Sequence, residues 1–369
     1  MTKELKEIAQ LFFKLGSIGF GGPAAHIAMM EEEVVNKRKW MTQQHFLDLI
    51  GATNLIPGPN STEMTMHCGH ERAGWKGLIV AGVCFVFPAV VLTMIFAWVY
   101  QKYGQLPTVA PFIYGIKPAV IAIILGAVYR LGKRALKNVE LGILGALTLI
   151  ACLLGIHEIM ALFACGLVGL MLHFIRQSKN KLNSFTPLIF LQIITSASTF
   201  NVFWTFLKVG AVLYGSGYVL FAYLDAELVN TGLMTRQELI DAIAVGQFTP
   251  GPVLTTATFI GWQLNGFWGA LAATVGIFVP SFLFVALLNP LIPKMRKSKS
   301  IAAFLDAVNI AAVAVIIAVC IEMGKETLTD WRTILIAAAS LVMVFGFKKV
   351  NSAFVVIGGA VLGCLLWLV

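Results

Sequence analysis

Asn54-Leu-Ile-Pro57-Gly58-Pro59-Asn60-Ser61-Thr62-Glu63 decides how this chain is read, because a degenerate copy follows at Thr249-Pro250-Gly251-Pro252-Val-Leu-Thr255-Thr256. Each Pro-Gly-Pro closes a short apolar run, 45–59 and 238–252, and a second short stretch follows it. Crossing a bilayer takes about 20 residues, so neither run spans alone. Proline opens helices well, and Asn, Ser and Thr are preferred N-caps. Each motif therefore reads as the tip of a re-entrant hairpin, with a helix starting at about Asn60 in the first copy. Backbone of this kind is tolerated at membrane depth only where it is buried in protein or lines a cavity.

The rest of the chain fits a membrane setting. Of its 369 residues 58% are hydrophobic and 12% charged, with a mean hydropathy of +0.84. Soluble domains carry about 25% charged residues, so a soluble globular protein is excluded. Long apolar runs cover 75–100, 111–131, 139–155, 157–175, 262–290, 301–322, 331–346 and 351–369. They are continuous rather than alternating, which excludes a porin-like barrel. Two further runs, 8–28 and 200–224, are interrupted by glycine. The expected fold is an all-α polytopic membrane protein of about ten transmembrane helices plus two Pro-Gly-Pro hairpins.

The matches extend far beyond the two tips. Phe12-Phe13-Lys14-Leu15-Gly16 answers to Phe206-Leu207-Lys208-Val209-Gly210, and Phe20-Gly21 to Tyr214-Gly215. Glu33-Val34-Val35-Asn36 pairs with Glu227-Leu228-Val229-Asn230, Met41-Thr42 with Met234-Thr235, Asp48 with Asp241, and Pro88 with Pro280. The order is kept with only two single-residue gaps. The chain reads as a duplication, with repeats at 1–177 and 201–369 and a linker at 178–200.

Loop charges orient the repeats. Arg130, Lys133, Arg134 and Lys137 follow the fourth segment of the first half; Lys294, Arg296, Lys297 and Lys299 follow the third segment of the second, and Lys348-Lys349 comes two segments later. The positive-inside rule places all three loops in the cytoplasm although their places in the repeat differ, so the halves are expected to be inverted. Inverted repeats are the architecture of secondary transporters, whose substrates bind near the midplane where broken helices meet. Two paths satisfy this pattern. Either the glycine-broken first segment of each half crosses and the N-terminus lies outside, or it is itself a hairpin, the N-terminus lies inside and the linker crosses. The net charge of +9 belongs to these loops and is no sign of nucleic-acid binding. The amphipathic start, Met1–Gly16, has no cleavage site and is not read as a signal peptide.

The chemistry gathers at the glycine-rich breaks. Gly16, Gly19, Gly21, Gly22 and Pro23 interrupt the first segment, with His26 beyond them. A helix start offers free N–H groups and partial positive charge, so two Pro-Gly-Pro tips meeting at the midplane would cage an oxyanion without a fixed lysine. The expected substrate site is Gly21, Gly22, Pro23, Gly58, Pro59, Asn60, Ser61, Thr62, Gly251, Pro252, Thr255 and Thr256, flanked by Gly215. His26 aligns with Leu220 and Glu63 with Thr256, so proton coupling is assigned to His26 and Glu63 of the first half alone. Lys14 and Lys208 hold equivalent places and are candidates for charge near the substrate path; Lys117 is expected to snorkel to an interface.

Other signals carry less. His67 and His70 lack the spacing of HExxH and a third ligand, so no zinc site is expected. The six cysteines form no CxxC pair and are expected to be free thiols. Gly359-Ala-Val-Leu-Gly363 suits helix packing or a homodimer. No P-loop occurs, and no cofactor or enzymatic nucleophile–base pair is expected.

Lys14-Leu-Gly, Phe20-Gly-Gly-Pro23 with His26, Pro57-Gly-Pro-Asn-Ser-Thr62-Glu63 and Phe87-Pro88 together resemble the signatures of the chromate ion transporter family in its long, fused form. The second half resembles the family's degenerate copy, departing at Gly217, Leu220 and Thr256. The resemblance implies a multi-pass inner-membrane transporter that exports chromate, driven by the proton gradient, with sulfate as a competitor of the same charge and shape. An uncoupled oxyanion channel, transporter or membrane sensor is the alternative.

Overall fold

A computed structural model describes residues 2–19, 22–104, 106, 108–177, 198–214, 217–288, 298–347 and 351–367. Among them there is no strand. Five helices are long and apolar enough to cross a membrane: α4 (Asn60–Tyr103), α5 (Ala110–Ala135), α7 (Glu158–Gln177), α11 (Thr256–Leu288) and α12 (Lys299–Thr327). Three shorter apolar helices accompany them: α6 (Val139–Leu153), α13 (Trp331–Gly346) and α14 (Ser352–Trp367). The chain is a polytopic all-α membrane protein. Its cysteines are free thiols.

The first segment turns back instead of crossing. α1 (Lys3–Ile18) ends at Gly19, and α2 (Gly22–Met30) runs into a π-helical turn, Glu31–Lys37. Arg38, just past that turn, reaches Glu7 near the start of α1 at 3.5 Å, and Arg72 reaches the same carboxylate at 3.3 Å. Of the two paths open to the sequence, this is the hairpin. The second half repeats the order with α8 (Thr199–Val212), α9 (Val219–Leu224) and the π-helical turn Asp225–Val229.

The Pro-Gly-Pro segments follow. α3 (Gln43–Thr53) leads to the first tip, α4 leaves it, and α4 then kinks at Ala73 and Gly74. Gly74 has φ 57° and ψ −147°, backbone open in practice to glycine alone. α10 (Arg236–Phe248) and α11 repeat the pattern, with Gly266 at φ 56° and ψ −149°. Each tip is thus joined by a short helix, 60–72 or 256–264, to a kink and then a long helix. Gly69 lies against Gly77 backbone and Gly261 against Gly269 backbone, folding each short helix onto its long one. A side chain on any of these four glycines would collide with the opposing carbonyl.

Repeat-equivalent helices run antiparallel to each other. Trp262 Nε1 donates to Gln101 near the end of α4 (2.9 Å), whereas Gly82, early in the long part of α4, meets Phe282, late in α11. Lys137, just past the end of α5, pairs with Asp306 at the start of α12 (2.6 Å). At the other end of the same pair, Tyr114 near the start of α5 bonds Asp330, just past the end of α12. The basic residues 130–137 therefore share one end of the molecule with Lys299; Lys294, Arg296, Lys297 and Lys348-Lys349 lie outside the described residues. Arg176 pairs with Glu140 at that same end, whereas Thr199 bonds Asn265 at the opposite one (2.7 Å). Apart from 198–200, the linker lies outside the described residues.

One expectation changes, and one pair of alternatives is met by the first of the two. Lys117 does not snorkel: its ammonium donates to Gln237 (2.7 Å) and pairs with Asp241 (3.4 Å), because α10 brings a carboxylate to it inside the bundle. Gly359 and Gly363 pack against Gly115, so the small-residue stripe of α14 is used within the chain, on α5.

Candidate functional site

The two tips are tied to each other's half. The Gly58 N–H donates to the Leu213 carbonyl at the end of α8, and the Gly251 N–H donates to the Gly19 carbonyl at the end of α1, both at 2.7 Å. Leu213 and Gly19 are themselves 194 residues apart, the offset of the first repeat matches. Each tip also packs on the opposing long helix: Gly58 against Ser281 of α11, Gly251 against Ala89 of α4. Both contacts fall one residue after the helix proline, Pro280 or Pro88. Both tip glycines have positive φ, 144° and 90°, and neither leaves room for a Cβ.

These ties redefine the expected donors. The N–H groups of Gly58 and Gly251 are spent on carbonyls and are not open to an anion. The hydroxyls of Thr255 and Thr256 donate to the Pro252 and Val253 carbonyls (3.0 and 2.8 Å), which leaves their lone pairs rather than their protons. Asn60 bonds Asn54 across the neck of the first tip (2.8 Å). Pro59 caps α4, and the Thr62 and Glu63 N–H groups turn back onto its carbonyl.

What remains unsatisfied sits beside the first tip. Thr62 Oγ1, both oxygens of Glu63 and Ser281 Oγ are buried with no hydrogen-bond partner among the described residues. The Glu63 carboxylate and the Ser281 hydroxyl fill the space a side chain on Gly58 would take. A buried polar group without a partner costs about 1–3 kcal/mol, so Glu63 and Ser281, which meet beside Gly58, form a site that a ligand or proton would complete, with Thr62 next to Glu63 in α4.

His26 stands one layer away. Its Nε2 donates to the Gly19 carbonyl (3.0 Å), the atom that also receives Gly251, and its ring meets Phe85 edge-on. Its Nδ1 is buried without a partner. Gly22 faces Tyr218, and Gly217 faces Val253 and Leu254 of the second tip. Gly21 and Gly215 lie outside the described residues, and Pro23 follows Gly22 in the first turn of α2.

Lys14 and Lys208 are not free charges. Lys208 pairs with Glu227 at 2.7 Å and Lys14 with Glu33 at 3.9 Å, each on the π-helical turn of its own half. Glu33 is also bonded by Arg38, which holds its carboxyl below the usual range. Sequence reading passed over Ser281, although Pro280 before it was matched to Pro88. It also passed over Gln247, whose Nε2 is buried without a partner, and weighed His67, buried with both ring nitrogens unpartnered, only as a zinc ligand. No group of three or more His, Cys, Asp or Glu residues placed to hold a metal occurs among the described residues.

Broken helices meeting inside a polytopic bundle, with unsatisfied polar groups at the meeting point, define a membrane transport protein. The chromate transporter family model matches the chain twice, over residues 6–170 and 200–364, and the chain belongs to that family. A chromate transport protein of Cupriavidus metallidurans is 31% identical over 98% of this chain and 93% of its own length. A probable chromate transport protein of Synechococcus elongatus is 29% identical over 98% and 96%, and a chromate transport protein of Pseudomonas aeruginosa 28% over 97% and 91%. These relatives are named for transport, not for catalysis. No solved structure matches the chain.

Proposed function

We propose that the protein is a secondary transporter that exports chromate across the inner membrane through two inverted repeats, with sulfate competing for the same site. The observation that carries this reading is the exchange of backbone bonds between halves, Gly58 to Leu213 and Gly251 to Gly19. Neither tip is complete without the other half, so a relative movement of the halves acts directly on the site between them. The antiparallel pairing of α4 with α11 and of α5 with α12 supports the inversion.

The tetrahedral dianion lies against Thr62, Ser61 and Ser281, with Asn60, Pro59 and Gly22–Pro23 beside it. Pro252, Thr255 and Thr256 of the second tip shape the site without donating to it, because both hydroxyl protons are held by backbone carbonyls. Gly58 and Gly251 serve as hinges that let backbone approach backbone. Glu63 and His26 couple protons. An ionised Glu63 repels a dianion, whereas its protonated form donates a hydrogen bond to it, and a protonated His26 attracts it. Proton and anion binding therefore favour each other. A dianion leaving with one proton carries a single negative charge outward, which an inside-negative membrane potential drives.

Labelled chromate uptake into inverted vesicles, with and without imposed pH and potential gradients, tests the proposal. Uptake that excess sulfate suppresses and that an interior-positive potential stimulates is the expected result. Wild-type vesicles that accumulate no chromate above a protein-free control refute it. Uptake that an interior-positive potential stimulates but that is indifferent to pH would favour the uncoupled channel.

A further inference from the structure

Two cavities flank α5 and α12 at opposite ends of the molecule. The first, about 370 Å³, runs from Arg134 and Lys137 to Asn54 and Asn60 at the neck of the first tip, with Asp306 and Asn309 on its far wall. The second, about 330 Å³, is lined by Lys117, Asp241 and Glu326, with Tyr114 and Thr329. A constant offset of 192 relates the walls: Arg134 answers to Glu326, Lys137 to Thr329, Tyr114 to Asp306 and Lys117 to Asn309. The cavities are repeat-equivalent, yet their charges oppose each other. The first carries two cations against one carboxylate, the second one cation against two carboxylates.

They also differ in how each ends. The first cavity reaches the tip residues themselves. In the second, Lys117 is held by Asp241 and Gln237, and Asp241 accepts from Tyr100 at 2.6 Å. In the first, the place of Lys117 is taken by Asn309, a neutral amide. Arg134 is exposed and makes no ion pair among the described residues, whereas Lys137 is half-neutralised by Asp306.

We propose that the Arg134 cavity is the loading vestibule for the tetrahedral dianion, and that the equivalent cavity, whose one cation is held by Asp241, captures it less well. This rests on the transport reading above. A cleft of one charge sign with low-dielectric walls concentrates ions of the other sign, and the effect fades with ionic strength. Arg134 and Lys137 draw the dianion in. The amides of Asn54, Asn60 and Asn309 replace part of its water on the way to Thr62. Asp306, by holding Lys137, keeps the capture weak enough for the anion to move on. At the opposite mouth Asp241 holds Lys117 and Glu326 is held by Arg236 at 2.9 Å, so neither cation is free to draw the anion back.

Initial rates of chromate uptake into inverted vesicles, whose outer surface is the cytoplasmic face, test this at several salt concentrations. Arg134→Gln and Lys137→Gln should each raise the apparent KM about three- to tenfold with little change in maximal rate, and should flatten its salt dependence. Arg134→Lys, which keeps the charge, should stay near wild type. Asp306→Asn, which frees Lys137, should lower KM. If wild type transports and Arg134→Gln leaves KM and salt dependence unchanged, the vestibule is refuted while the transport reading stands. Equal impairment by Arg134→Lys and Arg134→Gln, or a raised KM in Asp306→Asn, also overturns it. No uptake by wild type is the separate failure of the transport reading.

Discussion

Glu63 and Thr62 are where single residues matter most. Glu63 is buried with neither oxygen bonded, one residue from a threonine hydroxyl in the same state. Glutamine at 63 keeps a neutral donor and removes the proton. Glu63→Gln should therefore retain anion binding and potential-driven uptake but lose the pH dependence of flux, read as uptake across a pH series. His26→Ala should shift the same profile. Unchanged profiles in both variants would show that coupling lies elsewhere. Thr62→Val removes a hydroxyl proposed to bond the anion and should weaken apparent affinity by about 1 kcal/mol, near fivefold in KM. The sequence made His26 and Glu63 legible because their repeat mates, Leu220 and Thr256, are apolar or uncharged. It hid the loss of the Gly58 and Gly251 N–H groups, because donation to a carbonyl almost 200 residues away depends on three-dimensional placement. Ser281 was hidden for the same reason, since it reaches the first tip only through antiparallel pairing of α4 and α11.

Among the elements, the kinks and the π-helical turns come in pairs that one change can compare. Gly74 and Gly266 have nearly the same dihedrals and open space around them, so alanine there meets backbone strain alone. Gly74→Ala and Gly266→Ala should each cost about 1–3 kcal/mol, measured as a loss of thermal stability in detergent, without abolishing the fold. The lysine pairs should differ. Lys208–Glu227 is close and mostly buried, whereas Lys14 is 61% exposed and its pair is long. Lys208→Met should destabilise by about 2–4 kcal/mol and Lys14→Met by less than about 1 kcal/mol. Apolar runs and Pro-Gly-Pro tips were readable in the sequence because length and proline chemistry are local. Whether the 8–28 run crosses was not readable. Its glycines permit either path, and the return is fixed by Arg38 and Arg72 converging on Glu7.

For the whole molecule, the consequence of antiparallel pairing is that equivalent residues lie at opposite ends of the molecule. Lys137 meets Asp306 at one end of the α5–α12 pair and Tyr114 meets Asp330 at the other, with Arg134 and its equivalent Glu326 exposed at opposite ends. The basic loops suggested this inversion from sequence, but only the pairing of helices makes the two ends explicit. Inversion also underlies the exchange of tip bonds and the unlike charges of the two cavities, so it is the claim on which the others depend. Single cysteines at Arg134 and at Glu326, in a background without the six native cysteines, can be labelled with an impermeant thiol reagent in right-side-out and inverted vesicles. The expected result is that the cysteine at 134 reacts only in inverted vesicles and the one at 326 only in right-side-out vesicles. Labelling of both from the same side would contradict the inverted architecture.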